Sequence, residues 1–331
     1  MQALRGLAAL SVVTYHAFQW IDDRFWVGAA GVDVFFVISG FIIWTMASGR
    51  ESRPGVFFWR RLTRVAPAYW LVTGVVIAIA TLWPTLLRQV ALSPSHVALS
   101  LAFIQHIDPR GLPFPVLPPG WSLDYEAVFY ALVTLVLFAP APLRFRLILA
   151  ALGAVVVFGV LDPPAYFLGA NMMLLQFGAG VWLARRAELG RRILPEIGAA
   201  LAVIGLILLA GQGLTGLRSD LWRPWLWGVP AAMIVAGAMA LEPAFAPPRL
   251  LVRLGDASYA IYLCHFIAVA VVARLVGVWP IWRFVPAAVV VSLAAGLVFH
   301  AAVERPLIAW ARALPGILPV AKTARSAAAR S

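Results

Sequence analysis

The sequence predicts an all-α integral membrane protein, a bundle of about ten transmembrane helices with its N- and C-termini in the cytoplasm. Three observations carry that expectation. The 331 residues are 63% apolar and only 12% charged, with a mean hydropathy of +0.90, whereas soluble domains carry about twice that share of charge. Apolar runs of spanning length recur along the chain. The basic residues gather on alternating connections, as the positive-inside rule requires.

The runs lie near 4–20, 29–48, 67–83, 121–139, 143–161, 168–184, 193–211, 225–241, 257–278 and 282–302. A helical stretch near 94–106 is too short to span and reads as a surface helix. With the N-terminus inside, 19 of the 26 basic residues fall on the cytoplasmic side. The net charge of +12 is therefore mostly topology, and no nucleic-acid partner is expected. The lipid bilayer is the expected partner. Residues 1–313 form one transmembrane domain, and 314–331 read as a disordered cytoplasmic tail. The single cysteine, Cys264, excludes an internal disulfide and a cysteine-based metal cluster, and no metal is expected.

In the first run, Arg5 and His16 stand eleven residues apart, which is three helical turns plus roughly 20°. Both side chains point the same way, with the guanidinium at the membrane surface and the imidazole roughly 16 Å deeper. Ionisable residues at such depth usually serve function, although an imidazole satisfied by a neighbouring helix is the plainer alternative. The second run opens Gly31-Val-Asp33 and continues to Ser39-Gly40. Asp33 lies about one turn below the outer surface, and the small pair suits close helix packing.

The third run is preceded by Phe57-Phe58-Trp59-Arg60-Arg61-Leu-Thr-Arg64. A helix gathers Arg60, Arg61 and Arg64 on one side, giving either a lipid-anchoring surface or a phosphate clamp. The fourth run follows a proline-rich approach, Pro113 to Pro119, and opens Trp121-Ser122-Leu-Asp124-Tyr125-Glu126. Glu126 stands roughly 8 Å into that helix. The ninth run carries Ser258, Tyr262 and His265 at i, i+4, i+7, one polar stripe on an apolar helix, with Tyr259 beside it.

Taken in order, these residues resemble the acyltransferase-3 family of multispan membrane O-acyltransferases. The likeness rests on Arg5-x10-His16, GVDVFFVISGF at 31–41 and R-x-x-R at Arg61–Arg64 with Pro67 and Tyr69. It continues through WSLxxE at 121–126, LGxxSYxxYLxH at 254–265 and the closing Glu304-Arg305-Pro306. It departs at Gln2, where many members carry Asp. The resemblance implies transfer of an acyl group, usually acetyl, from cytoplasmic acetyl-CoA or another acyl-CoA to a hydroxyl of a glycan or glycolipid. It places the protein in the bacterial inner membrane. The hydrolase-like domain fused to some members is absent, so transfer is expected to finish here or through a partner.

On that reading Arg5, Arg60, Arg61 and Arg64 hold the CoA phosphates. His16 is the general base on the acceptor hydroxyl, or carries the acyl group itself. Glu126 and Asp33 orient His16 or bind sugar hydroxyls. Ser258, Tyr259, Tyr262 and His265 line the donor passage or steady the thioester oxygen. A proton-coupled transporter using His16, Glu126 and His265 as a relay is the rival, and a non-catalytic assembly partner is the third reading.

Overall fold

The structure, a computed structural model, describes residues 1–22, 25–49, 53–161, 172–215, 222–277 and 279–313. The tail expected at 314–331 and the start of the run at 168–184 lie outside them. The described residues contain helices and loops and no strand.

Helix α1 covers Gln2–Gln19 and α2 Gly31–Ser48, the latter entered through a 3₁₀ turn at Trp26–Ala30. α3 runs from Pro54 to Leu82 and α4 from Pro94 to Leu101. α5 is Trp121–Val136, α6 Ala141–Leu161, α7 Leu174–Glu188 and α8 Pro195–Thr215. A π-helical turn at Pro224–Gly228 leads into α9, Val229–Leu241. α10 is Arg249–Asp256, α11 Ser258–Val276 and α12 Ile281–Phe299, and a second π turn, His300–Glu304, joins α12 to α13, Arg305–Ala313.

A helix stands at each of the ten apolar runs. Among the described residues, seven helical segments are long and apolar enough to cross a membrane. The others, α1, α5 and α7, are shorter or more polar. The stretch near 94–106 is helical only over α4: Ser93 caps it by accepting from the His96 N–H at 3.2 Å, and Phe103, at φ 56°, turns the chain away.

Glycines set how closely the inner helices meet. A Cβ on Gly180 of α7 would lie 2.1 Å from the Val37 carbonyl oxygen, and one on Gly40 of α2 would lie 2.1 Å from that of Phe177. The two backbones therefore touch, as small residues allow in membrane bundles. Gly6 and Gly255 do the same for α1 and α10: a Cβ on Gly255 would lie 1.9 Å from the Gln2 carbonyl oxygen. That contact holds the start of α1 beside the start of α11. The outer helices differ. Of the spanning window of α8 only 11% is buried, and of α6 22%, leaving Leu206, Ile207, Val157 and Phe158 exposed as a lipid-facing surface.

The connection between α3 and α5 is tied down rather than loose. The Tyr69 hydroxyl donates to the Ser100 carbonyl at 3.2 Å and the Trp70 indole to the Leu101 carbonyl at 2.8 Å. The Val116 N–H donates to the buried Ser100 hydroxyl at 3.0 Å. Asp108 closes the turn beyond α4, accepting from the Leu112 N–H at 2.9 Å and from the Arg110 guanidinium at 2.7 Å. Loop 102–120 is thereby held over the end of the bundle where α1 finishes.

Candidate active site

Three adjoining cavities run through the bundle. The first, about 530 Å³, opens where α1, α11 and α13 begin and is lined by Gln2, Arg5, Arg64, Asp256, Glu304 and Arg305. The second, about 80 Å³, shares Arg5 and Arg64 with it and adds Ser39, Glu126, Tyr130, Ser258, Tyr259 and Tyr262. The third, about 510 Å³, shares Val32 and Tyr262 with the second. It holds His16, Gln19, Gln105, His106, Arg110, Trp121 and Arg223. The first is a mouth, the second a neck, the third a vestibule at the opposite end of α1.

At the neck, the Arg5 Nη2 donates to the Ser258 hydroxyl at 3.0 Å, an arrangement fixed by the Gly6/Gly255 contact. Glu126 accepts from the Tyr130 hydroxyl at 2.6 Å and from the Ser39 hydroxyl at 3.2 Å. The Tyr259 hydroxyl donates to the Val65 carbonyl at 2.7 Å. Tyr262 stands at the boundary between neck and vestibule, its hydroxyl 2.7 Å from the Pro119 carbonyl and 2.8 Å from Ser122 Oγ.

In the vestibule His16 Nδ1 lies 3.2 Å from the Gln19 amide oxygen, one turn on along α1. A carbonyl oxygen only accepts, so Nδ1 carries the proton and Nε2 keeps its lone pair. That is the tautomer a general base needs. The His265 ring centroid is 4.9 Å away. Its Nδ1 donates to the Tyr262 carbonyl at 2.6 Å, and its Nε2 is buried with no hydrogen-bond partner. His265 is fully buried and lines none of the three cavities.

The acyltransferase domain family matches residues 1–301. The chain belongs to the acyltransferase-3 family. The exopolysaccharide production protein ExoZ of Rhizobium meliloti is 36% identical over 314 residues, covering 90% of this chain and 95% of that protein. BcsY of Komagataeibacter xylinus, named as a candidate membrane-bound transacylase, is 30% identical over 82% of this chain and 72% of its own. The O-acetyltransferase OatA of Staphylococcus aureus is 26% identical over 80% of this chain and 49% of its own. No solved structure matches. The protein is a multi-pass membrane O-acyltransferase.

Within this acyltransferase the sequence-predicted residues divide into groups. Arg5, Arg64, Glu126, Ser258, Tyr259 and Tyr262 all line the neck, and His16 lies beyond it with His265 against it. Arg60 and Arg61 line none of the three cavities. Arg61 is buried with its guanidinium 5.9 Å from the centre of the Phe57 ring. Arg60 and Arg61 stand about one turn nearer the start of α3 than Arg64, short of the cavities that Arg64 lines.

One expectation needs correction. Neither Glu126 nor Asp33 orients His16, whose partner is Gln19; Glu126 faces the neck, on the arginine side of Tyr262. α1 ends at Gln19, where Ile21 and Asp22 fold back onto the Phe18 carbonyl, so His16 stands in the last turn.

Asp33 is fully buried in an ion pair that sequence reasoning missed. Arg223 Nη2 donates to it at 2.9 Å and the Gln176 amide at 2.5 Å. Arg223 also lies over the Trp227 and Trp121 rings, 4.6 and 5.7 Å from their centres. Glu304, from the closing Glu304-Arg305-Pro306, is buried in the mouth with His300 Nδ1 at 2.7 Å. It closes the π turn at 300–304, which widens the helix there.

Proposed function

We propose that this O-acyltransferase moves an acetyl group from acetyl-CoA at the cytoplasmic mouth to a hydroxyl of a glycan or glycolipid in the vestibule, with His16 as general base. The observation that carries the reading is the row of three adjoining cavities, with Arg5 and Arg64 in the mouth and His16 in the vestibule. Arg5 and Arg64 hold CoA phosphates, since guanidinium groups stay charged and pair bidentately with phosphoryl oxygens. Arg60 and Arg61, on the preceding turn, add to the positive potential around them. The pantetheine arm threads the neck past Ser258 and Tyr259, and the thioester reaches Tyr262.

His16 Nε2 then takes the proton of the acceptor hydroxyl, and the alkoxide oxygen attacks the thioester carbonyl. The C–S bond breaks, the new ester remains on the acceptor, and the imidazolium returns its proton to the departing thiolate. Gln19 fixes the tautomer throughout.

All ten runs cross the bilayer on this reading, with both termini cytoplasmic in a bacterial inner membrane. Helix directions support it. Asp33 and Val37 meet Gln176 and Gly180 in the same order, so α2 and α7 run parallel, as the second and sixth crossings must. ExoZ, by name an exopolysaccharide production protein, supports a glycan acceptor.

The test is purified protein in lipid nanodiscs with labelled acetyl-CoA and oligosaccharide acceptors. Label should reach the acceptor, and His16→Ala should abolish this while CoA binding persists. Binding of CoA without any consumption of thioester would favour the transporter or assembly reading instead.

A further inference from the structure

The vestibule and the mouth are charged differently. Mouth arginines share their cavity with Asp256 and Glu304. Among the described residues no carboxylate lines the vestibule, although Arg110, Arg223, His16 and His106 do. Both arginines are held from behind. Asp108 takes Nε and Nη2 of Arg110 at 2.9 and 2.7 Å, and Asp33 takes Nε and Nη2 of Arg223 at 3.3 and 2.9 Å. In each guanidinium Nη1 has no hydrogen bond to a described residue, so one donor edge of each remains.

This pattern bears on the acceptor, and so rests on the vestibule being the acceptor side. A neutral sugar presents hydroxyl donors that seek strong acceptors, and carboxylates are the strongest that side chains supply. For that purpose the vestibule's described lining offers only neutral acceptors, among them the Gln19 and Gln105 amide oxygens, the Tyr125 hydroxyl and the His16 Nε2 lone pair. What it offers in excess is rigid cationic donors, beside the aromatic faces of Trp121, Tyr125 and Phe114. Such donors match an anionic oxygen group, and an ion-paired guanidinium is already oriented for it.

We infer that the acceptor is a sugar carrying an anionic group, a carboxylate or phosphate, which Arg110 and Arg223 anchor while His16 addresses a neighbouring hydroxyl. The anion fixes which hydroxyl meets Nε2, so the pair of arginines sets regiochemistry as well as affinity.

The experiment compares three probes on the full-length protein in nanodiscs: a glucuronate-containing oligosaccharide, the same oligosaccharide with its carboxyl reduced to an alcohol, and a sugar phosphate. Binding is read by tryptophan fluorescence and transfer by labelled acetyl-CoA. Either anionic probe should bind about tenfold or more tightly than the neutral one, and added salt should erode the difference. The stronger of the two anionic probes identifies the anion. Arg110→Gln, in a loop, should bring charged and neutral probes to within about twofold. Arg223→Gln combined with Asp33→Asn, which removes both charges of the buried pair, should act likewise. Equal binding of reduced and acidic oligosaccharides by the wild-type protein would overturn the inference. If neutral acceptors are acetylated equally well, the inference falls and the transferase reading stands; if CoA itself does not bind, the transferase reading falls.

Discussion

The two ends of the passage contain similar side chains arranged to opposite effect. In the mouth, charges of both signs face one space, Arg5, Arg64 and Arg305 with Asp256 and Glu304, and the Asp256 contact with Gln2 is exposed. In the vestibule the carboxylates are withdrawn: Asp33 is fully buried and Asp108 nearly so, each behind the arginine it holds. A mouth balanced by its own carboxylates suits a ligand that must leave after every turnover. A vestibule with rigid, single-sign donors suits recognition. The difference can be broken at either end.

The largest effect is expected at His16. His16→Ala should lower acetyl transfer by about 10²–10⁴-fold, the usual contribution of a general base, with the KM for acetyl-CoA unchanged. Single-turnover transfer measured beside CoA binding checks this. A parallel loss of CoA binding would mean that vestibule and mouth are not separable. Next comes the buried pair. Arg223→Ala leaves Asp33 charged and enclosed, which should cost about 3–5 kcal/mol of stability, read by denaturation in detergent. Cutting the exposed Asp256 contact by Asp256→Ala should cost under about 1 kcal/mol. Similar losses at both positions would erase the contrast drawn here.

What the sequence made legible follows the same division. Register within one helix is fixed by 3.6 residues per turn, so Arg5 and His16, and Ser258, Tyr262 and His265, could be aligned without coordinates. So could the apolar helices that meet lipid, because α6 and α8 announce themselves by composition. Of the helices that line the passage, α1 has the length of a span but is diluted by its polar residues, whereas α5 and α7 fall short in length, at 16 and 15 residues. Pairs between helices were out of reach: Asp33 and Arg223 are 190 positions apart, and only packing joins them. The end of α1 was legible to within a residue, the first run closing near position 20, but the Gln19–His16 contact was not.

A smaller effect separates the mouth's arginines. Arg64 lines both mouth and neck, whereas Arg61 packs on Phe57. Arg64→Ala should raise the KM for acetyl-CoA about tenfold, the loss of a charge-assisted hydrogen bond, with little change in kcat. Arg61→Ala should act mainly on stability. Initial-rate kinetics over a range of acetyl-CoA concentrations distinguish them. The reverse ranking would assign the phosphate contacts to the outer face of α3 rather than to the mouth.

The smallest effect is expected from acid, at the roof of the vestibule. His106 Nδ1 donates to the Ile104 carbonyl at 2.7 Å, so its Nε2 accepts from His96 Nδ1 at 2.6 Å. Burial, and then the neighbouring His106, hold the His96 imidazole below its ordinary value of 6.5, outweighing the pull of Asp108; Arg110 lowers it further. The folded protein thus resists a proton that the unfolded chain accepts. Stability should be complete above pH 6.5 and decline as pH falls below it, because the unfolded state then binds more protons. His96→Gln should lower stability at neutral pH yet flatten its dependence over that window. Because His106 and Arg110 line the vestibule and not the mouth, mild acid should weaken acceptor binding before it touches CoA binding. Titrating both ligands between pH 7.5 and 5.5 (roughly one unit either side of the free imidazole) tests the order, and simultaneous loss of the two would tie the roof to the whole passage instead.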